Sequence, residues 1–374
     1  MQVPFLDLKV QYQSIKTDVD AAIQKVIDNT AFILGESVAN FEQNFAKAHN
    51  AKYCIGVSSG TDGNHLATWS LGIKPGDEVI IPANTFIATA WGATLCGATP
   101  IMVDCHPDNY NLDPEKVEAA ITPKTKAIVA VHLYGQPADM DKLREIANQH
   151  NLFLIEDAAQ AHLAEYNGEK VGGLSTAASF SFYPGKNLGA YGEAGAVLTN
   201  DDQLANNLKM LREHGQSEKY CHQSFGHNYR MEGIQGAVLG VKLKYLDKWT
   251  EGRRRVAAKY KELLSDIDTI RLPIEMPYAK HVYHLFVIQV NGSNGKDTRD
   301  KLQKFLGENG VATGLHYPIP LHQQNCFSYL GYKEGDFPVT EQLATTGLSL
   351  PMFPELSDDK IQYVSEKLKE FFVN

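Results

Sequence analysis

Cysteine is scarce, and what there is cannot be paired neatly. Five cysteines (Cys54, Cys96, Cys105, Cys221 and Cys326) are scattered through 374 residues, odd in number and never spaced as C-x-x-C. That pattern suits a reducing compartment, and neither a disulfide framework nor a cysteine zinc site. Positive charge is also in short supply: 35 Lys and Arg stand against 44 Asp and Glu, a formal net charge of −9. Nonspecific nucleic-acid binding favours a strongly basic face, so this balance argues against it. Small anions are not excluded, because a local site can be positive within an acidic protein. No apolar stretch approaches the roughly 20 residues that cross a bilayer. The start, MQVPFLDLKVQYQ, has no basic segment leading into an apolar run, as a signal peptide would. These absences predict a cytoplasmic chain with no nucleic-acid or membrane partner. Internal repeats and low-complexity linkers are missing too.

What is present has an ordinary globular composition, 43% hydrophobic and 21% charged. The length exceeds what one core usually supports, which predicts two domains. The segments "AKYCIGVSSGT", "DEVIIPANTF", "TPIMVDCHP", "KAIVAVHLYG", "LFLIEDAAQ", "AASFSFYPGK" and "AGAVLTN" read as strands. Their continuous apolar character suits parallel strands buried on both faces. Between them, "NLDPEKVEAAI" opens with Asp113 as N-cap and Pro114 at the first helical position, and "DMDKLREIANQHN" has apolar residues at helical spacing. The expected fold is α/β: a mostly parallel sheet flanked by helices, with its chemistry at the carboxyl ends of the strands.

Near residue 240 the pattern changes. "KLKYLDKWTEGRRRVAAKYKELLSDI" predicts one long charged helix, followed by a smaller α+β region. The expected division is a large domain over 1–245 and a small C-terminal domain over 246–374. The N-terminal helix around "YQSIKTDVDAAIQKVIDNT" precedes the first strand, and its packing partner, the small domain or another subunit, stays open.

Several strand ends carry candidate chemistry. After "YCIGV" come Ser58-Ser59-Gly60-Thr61-Asp62-Gly63 and a helical pattern. Small residues at a strand-to-helix turn expose backbone N–H groups at the positive end of the helix dipole, as a phosphate requires, although a plain tight turn reads the same way. Glu156 and Asp157 end an apolar strand, where a carboxylate must find a cation or hydrogen-bond donors. Asp157 suits a protonated ring nitrogen or a helix cap. Gln160 and His162 follow closely enough to line the same crevice. Lys186 sits just beyond another strand on a turn set by Pro184 and Gly185, flanked by Phe182, Tyr183, Leu188 and Ala190. Desolvation there lowers a lysine's pKa and frees its amine to act as nucleophile and base. Phe86 stands at a further strand end, either in the core or as a platform for a planar ring. "HGQSEKYCHQSFGHNYRMEGIQGAVLG", polar and glycine-rich, reads as a binding loop, possible across a dimer interface. One cofactor explains the set. Pyridoxal 5'-phosphate needs a helix N-terminus for its phosphate, an acid for its ring nitrogen, a flat neighbour and a lysine for its aldehyde.

With these motifs in this order, the chain resembles the nucleotide-sugar aminotransferases, pyridoxal-phosphate enzymes of the aspartate aminotransferase-like fold type. The resemblance runs from "VPFLDLK" through "SSGTD", "NTFIATA", "EDAAQAH", "SFYPGKNLGAYGEAGAV", "NYRMEGIQGAVL" and "HVYHLFVI" to "HYPIPLHQQ" and "LSLPMFPELS". It implies that Lys186 holds the cofactor covalently, Asp157 pairs with the ring nitrogen, Gln160 contacts the ring hydroxyl and Phe86 stacks on the ring. It further implies that Gly60, Thr61 and Ser181 bind the phosphate, with Asn228 reaching it from the other subunit of a homodimer with a shared active site. Pyridoxamine 5'-phosphate is the implied intermediate form. "SSGTDGNHLA" departs from the commoner family form, in which an alanine-leucine pair follows the Asp.

Relatives that remove the sugar 3-hydroxyl carry histidine at the lysine position, so Lys186 implies transamination. "FYPGKNLGAYGEAGA" looks like the branch acting on dTDP-linked 3-keto-6-deoxyhexoses, with L-glutamate as amino donor; the 4-keto branch is the alternative. Tyr183, Lys219, His316 and Tyr317 are the candidate substrate contacts, by their position beside the cofactor motifs, and no metal is expected. Two rivals remain. A dinucleotide-dependent dehydrogenase would want G-x-G-x-x-G after the first strand, which "SSGTDG" does not supply. A regulatory protein retaining the fold would have little need of both Lys186 and Asp157.

Overall fold

The computed structural model describes residues 1–291 and 295–373. Seven strands form the main sheet: β1 (Tyr53–Val57), β2 (Glu78–Pro82), β3 (Thr99–Val103), β4 (Thr125–Val131), β5 (Phe153–Asp157), β6 (Ala177–Ser181) and β7 (Gly195–Thr199). Their spatial order is β1-β7-β6-β5-β4-β2-β3. All seven coincide with the segments read as strands. Six run in one direction, so the sheet is mostly parallel, as expected, and β7 is antiparallel to both β1 and β6. The reason is the connection. Residues 182–194 contain no helix to carry a crossover, so the chain returns beside β6 as an antiparallel neighbour.

Helices cover both faces. The first eight are α1 (Leu8–Asp28), α2 (Gly35–Ala48), α3 (Gly60–Ser70), α4 (Ala88–Thr94), α5 (Pro114–Ala119), α6 (Met140–Gln149), α7 (Asp202–Arg212) and α8 (Gly233–Lys242). Asp113 caps α5 by accepting from the Glu115 N–H, with Pro114 in the first turn, as its sequence predicts. One apolar core lies on the α2 and α6 side of the sheet, with Phe41, Phe45 and Leu143 packed on Phe180 and Ile128. The other lies on the α3, α4 and α7 side, where Leu66, Ala90 and Leu208 cover Ile55, Ile81 and Val197. Helix α1 packs within its own chain: Ile15 and Val19 meet Val238 and Val241 of α8, together with Trp249.

Most of the long charged helix expected from 242 onward forms, beginning a few residues late. A single 3-10 turn at Leu243–Tyr245 separates α8 from α9 (Leu246–Leu264). The two helices bury their faces in different places, α8 against α1 and α2, and α9 through Val256, Ala257 and Tyr260 in a third core. One unbroken helix would not turn both faces correctly. That third core fills the C-terminal region, where β8 (Ile270–Arg271), β9 (Phe286–Val290) and β10 (Gly347–Leu350) form an antiparallel sheet in the order β8-β9-β10. It is completed by α10 (Gly295–Glu308), α11 (Pro338–Thr346) and α12 (Asp358–Val373). Val3 joins this core and bridges to Val311, so the chain's first residues belong to its last region.

The segment 214–240, expected as one long polar loop, is partly regular. Gln216–Glu218 pairs with Cys221–His222, and α8 begins at Gly233. The hairpin's Tyr220 and nearby Phe225 are 82% and 90% exposed. No helix among the described residues is long and apolar enough to cross a membrane.

Candidate active site

Register brings the candidate groups to one end of the sheet. Gly195 pairs with both Val57 and Ser181, while Asp157 pairs with Val131 and Ser179. The carboxyl ends of β1, β4, β5 and β6 therefore lie in a row, with the start of β7 among them. Above that row opens a cavity of about 520 Å³. Gly60, Thr61, Phe86, Asp157, Gln160, Ser181, Tyr183, Lys186 and Tyr317 all line it. A larger surface groove of about 1040 Å³ runs beside α7 and contains none of these groups.

Glu156 and Asp157 separate as the two-residue period of a strand requires. Glu156 is fully buried, with Oε2 accepting from Gly172 N–H at 2.8 Å and lying 2.9 Å from His132 Nε2, and Oε1 accepting from Leu174 N–H and the Ser175 hydroxyl. Burial pushes its pKa up, but the His132 bond and these donors outweigh it and hold the carboxyl below its ordinary value. Asp157 instead faces the cavity and is 5% exposed. Its Oδ2 accepts from Asn64 Nδ2 at 2.9 Å and from Thr89 Oγ1 at 2.7 Å. Among the described residues its Oδ1 takes only the Ala159 N–H, at 3.2 Å.

Lys186 lies on a turn in which its own N–H donates to the Tyr183 carbonyl, and the Ala190 N–H donates to the Phe182 carbonyl. A side chain at Gly189 would overlap the Pro184 carbonyl, so the turn needs glycine there. Among the described residues, no hydrogen bond or ion pair holds the Lys186 ammonium. Burial lowers its pKa to about 8, against which Asp157 pulls upward. Histidines close by are kept neutral. Burial, then the charges of His49 and Lys186, lower His162 to about 3, while burial and then Lys186 lower His316 to about 4. An amine that sheds its proton near neutrality thus faces a carboxylate across one cavity.

At the opposite wall, α3 starts at Gly60 with Ser59 as N-cap, its hydroxyl accepting from the Asp62 N–H. The first-turn N–H groups of a helix have no partner within it, and those of Gly60 and Thr61 border the cavity. A Cβ on Gly60 would come 2.5 Å from Ser181 Cβ, so glycine lets the helix start meet the end of β6. Gln160 is oriented by its neighbours. Its Oε1 accepts from the Tyr134 N–H at 2.7 Å, which leaves Nε2 to donate to Tyr317 Oη at 3.1 Å. Phe86, 52% exposed, presents its ring to the cavity, 5.7 Å from that of Tyr317.

Three expected residues lie elsewhere. Lys219 is exposed on the hairpin with its ammonium over the Tyr220 ring. Asn228 is exposed and accepts from Arg230 Nε at 2.9 Å. His316 stands behind the cavity, stacked on Phe5, with Nδ1 2.8 Å from Ser349 Oγ. Sequence reasoning also passed over Asn64, Thr85, Thr89 and Glu193. Thr85 and Thr89 flank the quoted Phe86 motif, and Asn64 stands where the chain departs from the commoner family form. Those were the available signals.

These residues suit a phosphorylated, aldehyde-bearing aromatic cation. The cavity has a helix start with no Cβ in the way, an unpaired amine, and a carboxylate with one oxygen lightly occupied. Beside that carboxylate, the buried Asn64 Oδ1 has no donor among the described residues.

The model of the DegT/DnrJ/EryC1/StrS aminotransferase family matches residues 13–369. A "pleiotropic regulatory protein" of Geobacillus stearothermophilus is 48% identical, covering 100% of this chain and 99% of its own length. A dTDP-3-amino-3,4,6-trideoxy-alpha-D-glucose transaminase of Streptomyces venezuelae is 44% identical, covering 99% of this chain and 96% of its own. The crystal structure of S. venezuelae DesV in complex with a ketimine intermediate superposes with a TM-score of 0.96 at 44% identity, covering 99% of this chain and 98% of that one. The chain belongs to the DegT/DnrJ/EryC1/StrS family and is a pyridoxal-phosphate-dependent sugar aminotransferase.

Proposed function

We propose that this family member moves the amino group of L-glutamate to C3 of a dTDP-linked 3-keto-6-deoxyhexose. The observation that carries the reading is the pairing of Lys186, its pKa lowered to about 8, with Asp157 across one cavity. The motif "FYPGKNLGAYGEAGA" and the S. venezuelae relative's name support the C3 and dTDP assignments. Residues 1–245 form the cofactor-holding domain in this reading, and 246–374 the smaller one.

When bound, pyridoxal phosphate supplies an aldehyde for the lysine or the donor amine and a cationic ring that accepts electrons. The protein's part is positional. Lys186 would hold the aldehyde, and its amine, when freed by the amino donor, would serve as the base that carries the Cα proton across the nitrogen to the cofactor carbon. Asp157 keeps the ring nitrogen protonated, so negative charge developing at the reacting carbon is stabilised. Gln160 donates to the ring hydroxyl, Phe86 stacks on the ring, and Gly60, Thr61 and Ser181 hold the phosphate. Tyr183 and Tyr317 face the sugar nucleotide, with His316 behind them.

A second copy of the chain completes the site in this reading. Asn228 and Lys219 lie on an exposed arm whose Tyr220 and Phe225 are themselves exposed, and from a partner subunit they would reach the phosphate and the pyrophosphate. A cytoplasmic location goes with these soluble substrates.

The deciding experiment incubates the purified chain with L-glutamate and a panel of dTDP-linked 3-keto and 4-keto hexoses, and identifies the aminosugar by mass spectrometry and NMR. A 3-amino product with stoichiometric 2-oxoglutarate is expected. A 4-amino product would move the chain to the other branch. Cofactor colour that ignores glutamate and every ketosugar in the panel would sink the proposed reaction.

A further inference from the structure

We propose that Asn64 is a positioning residue for Asp157, dividing the work of its two carboxylate oxygens. The inference rests on the reading of Asp157 as the ring-nitrogen partner.

Asn64 lies in the second turn of α3, the helix whose first turn borders the cavity, and Thr89 lies on α4. Both side chains are buried, and both converge on one atom, Asp157 Oδ2. The directions of these bonds follow from chemistry. An ionised carboxylate only accepts, so Asn64 presents its amide nitrogen and Thr89 its hydroxyl proton. The Thr89 oxygen is then free to accept, and Thr85 Oγ1 stands 2.8 Å from it. A chain of donors runs Thr85 to Thr89 to Asp157, with Asn64 as an independent second donor. The Asn64 backbone is tied as well, because its carbonyl accepts from Thr68 Oγ1 at 2.9 Å.

Two strong donors saturate Oδ2 and fix the plane of the carboxylate. Oδ1, with one long backbone contact, is the oxygen left to serve the cofactor. Such a clamp removes rotational freedom from the group that must meet the ring nitrogen in one geometry, and charge-assisted bonds are the strong kind for the purpose. Asn64 accepts a cost in doing so: its buried Oδ1 goes without a donor among the described residues. A leucine at this point, as in the commoner family form, could fill the space but could not donate.

The test uses the full-length protein and three variants, reading the dissociation constant of pyridoxal phosphate from its visible absorbance, and kcat and KM separately. Asn64→Asp is isosteric but places a second carboxylate against Asp157. It should weaken cofactor retention at least about tenfold near pH 8 and recover toward wild type near pH 6, as the two carboxylates come to share a proton that restores the donor. Asn64→Leu should fold, bind cofactor a few-fold more weakly at every pH, and lose kcat rather than raise the sugar-nucleotide KM. A residue that only filled space would leave Asn64→Leu with wild-type kcat and cofactor retention, and that outcome, or wild-type retention in Asn64→Asp across the pH range, overturns the proposal. Asp157→Asn is the control. If it keeps wild-type retention and turnover, the reading of Asp157 itself fails; if it loses both while Asn64→Asp is silent, only the role of Asn64 fails.

Discussion

Gly60 and Ser181 meet so closely that a single methyl group on the glycine would lie 2.5 Å from the serine Cβ. One begins α3 and the other ends β6, and together they form the wall assigned to the phosphate. Gly60→Ala, harmless to an isolated helix, should therefore push the helix start away from the strand. Cofactor binding is expected to weaken more than about tenfold, as loss of charge-assisted phosphate contacts would give. Adding Ser181→Gly should ease the clash, leaving the Ser181 Cα at 3.0 Å, and return part of the thermal stability without fully returning affinity, which differential scanning fluorimetry and cofactor titration together would read.

Lys186→Ala should retain pyridoxal phosphate without a covalent link and lose turnover. A second consequence concerns the cofactor-free protein. Burial lowers the Lys186 pKa from 10.5 to about 8, so between those values the unfolded chain binds more protons and folded stability rises with pH. Below about 8 the cost of holding the charge is present in full. Lys186→Met should thus be more stable than wild type near neutrality, with the difference closing toward pH 10.5. Chemical denaturation at several pH values checks this, and a gap that widens with pH would contradict it.

Glu156 gives the opposite sign. Its pKa is held below the ordinary value, so its contribution is present above the unfolded pKa and is lost as pH falls through the folded one. Removing it leaves His132 and the buried N–H groups of Gly172 and Leu174 without their acceptor. Glu156→Ala should cost about 3–5 kcal/mol in urea denaturation, and the difference from wild type should shrink in acid.

The shared site predicts complementation. Asn228→Asp, which would set a carboxylate against the phosphate of the neighbouring subunit, and Lys186→Ala should each be inactive alone. Mixed and re-associated, they should recover up to about a quarter of wild-type activity, because half the dimers are hybrids and each hybrid holds one intact site. No recovery despite demonstrated subunit exchange would place both residues in the same protomer's site.

Most of the sheet was legible because each of its strands is a short apolar run bounded by turn residues, from "YCIGV" to "AGAVL". The direction of β7 was not, since apolar content is the same for a strand running either way; only the missing helix between 182 and 194 decides it. The break between α8 and α9 was hidden for a similar reason. Residues 242–264 carry a helical pattern, and where α9 starts within it depends on which core each of the two helices meets. In the site, Lys186, Asp157 and Gln160 stood out by residue type at strand ends. Asn64 and Thr89 did not, because their significance is a shared contact with one oxygen of a residue far along the chain.

By itself the sequence determined where each strand ends and which side chain stands there, because local periodicity and turn chemistry act over a few residues. It therefore named the lysine, the acid and the helix start. Tertiary structure alone decided that these three open on one cavity, that Glu156 turns away from it into its own buried network, and that Lys219 and Asn228 stand outside it. Those outcomes follow from strand register and helix packing, which join residues a hundred or so positions apart and leave no periodic mark on the chain.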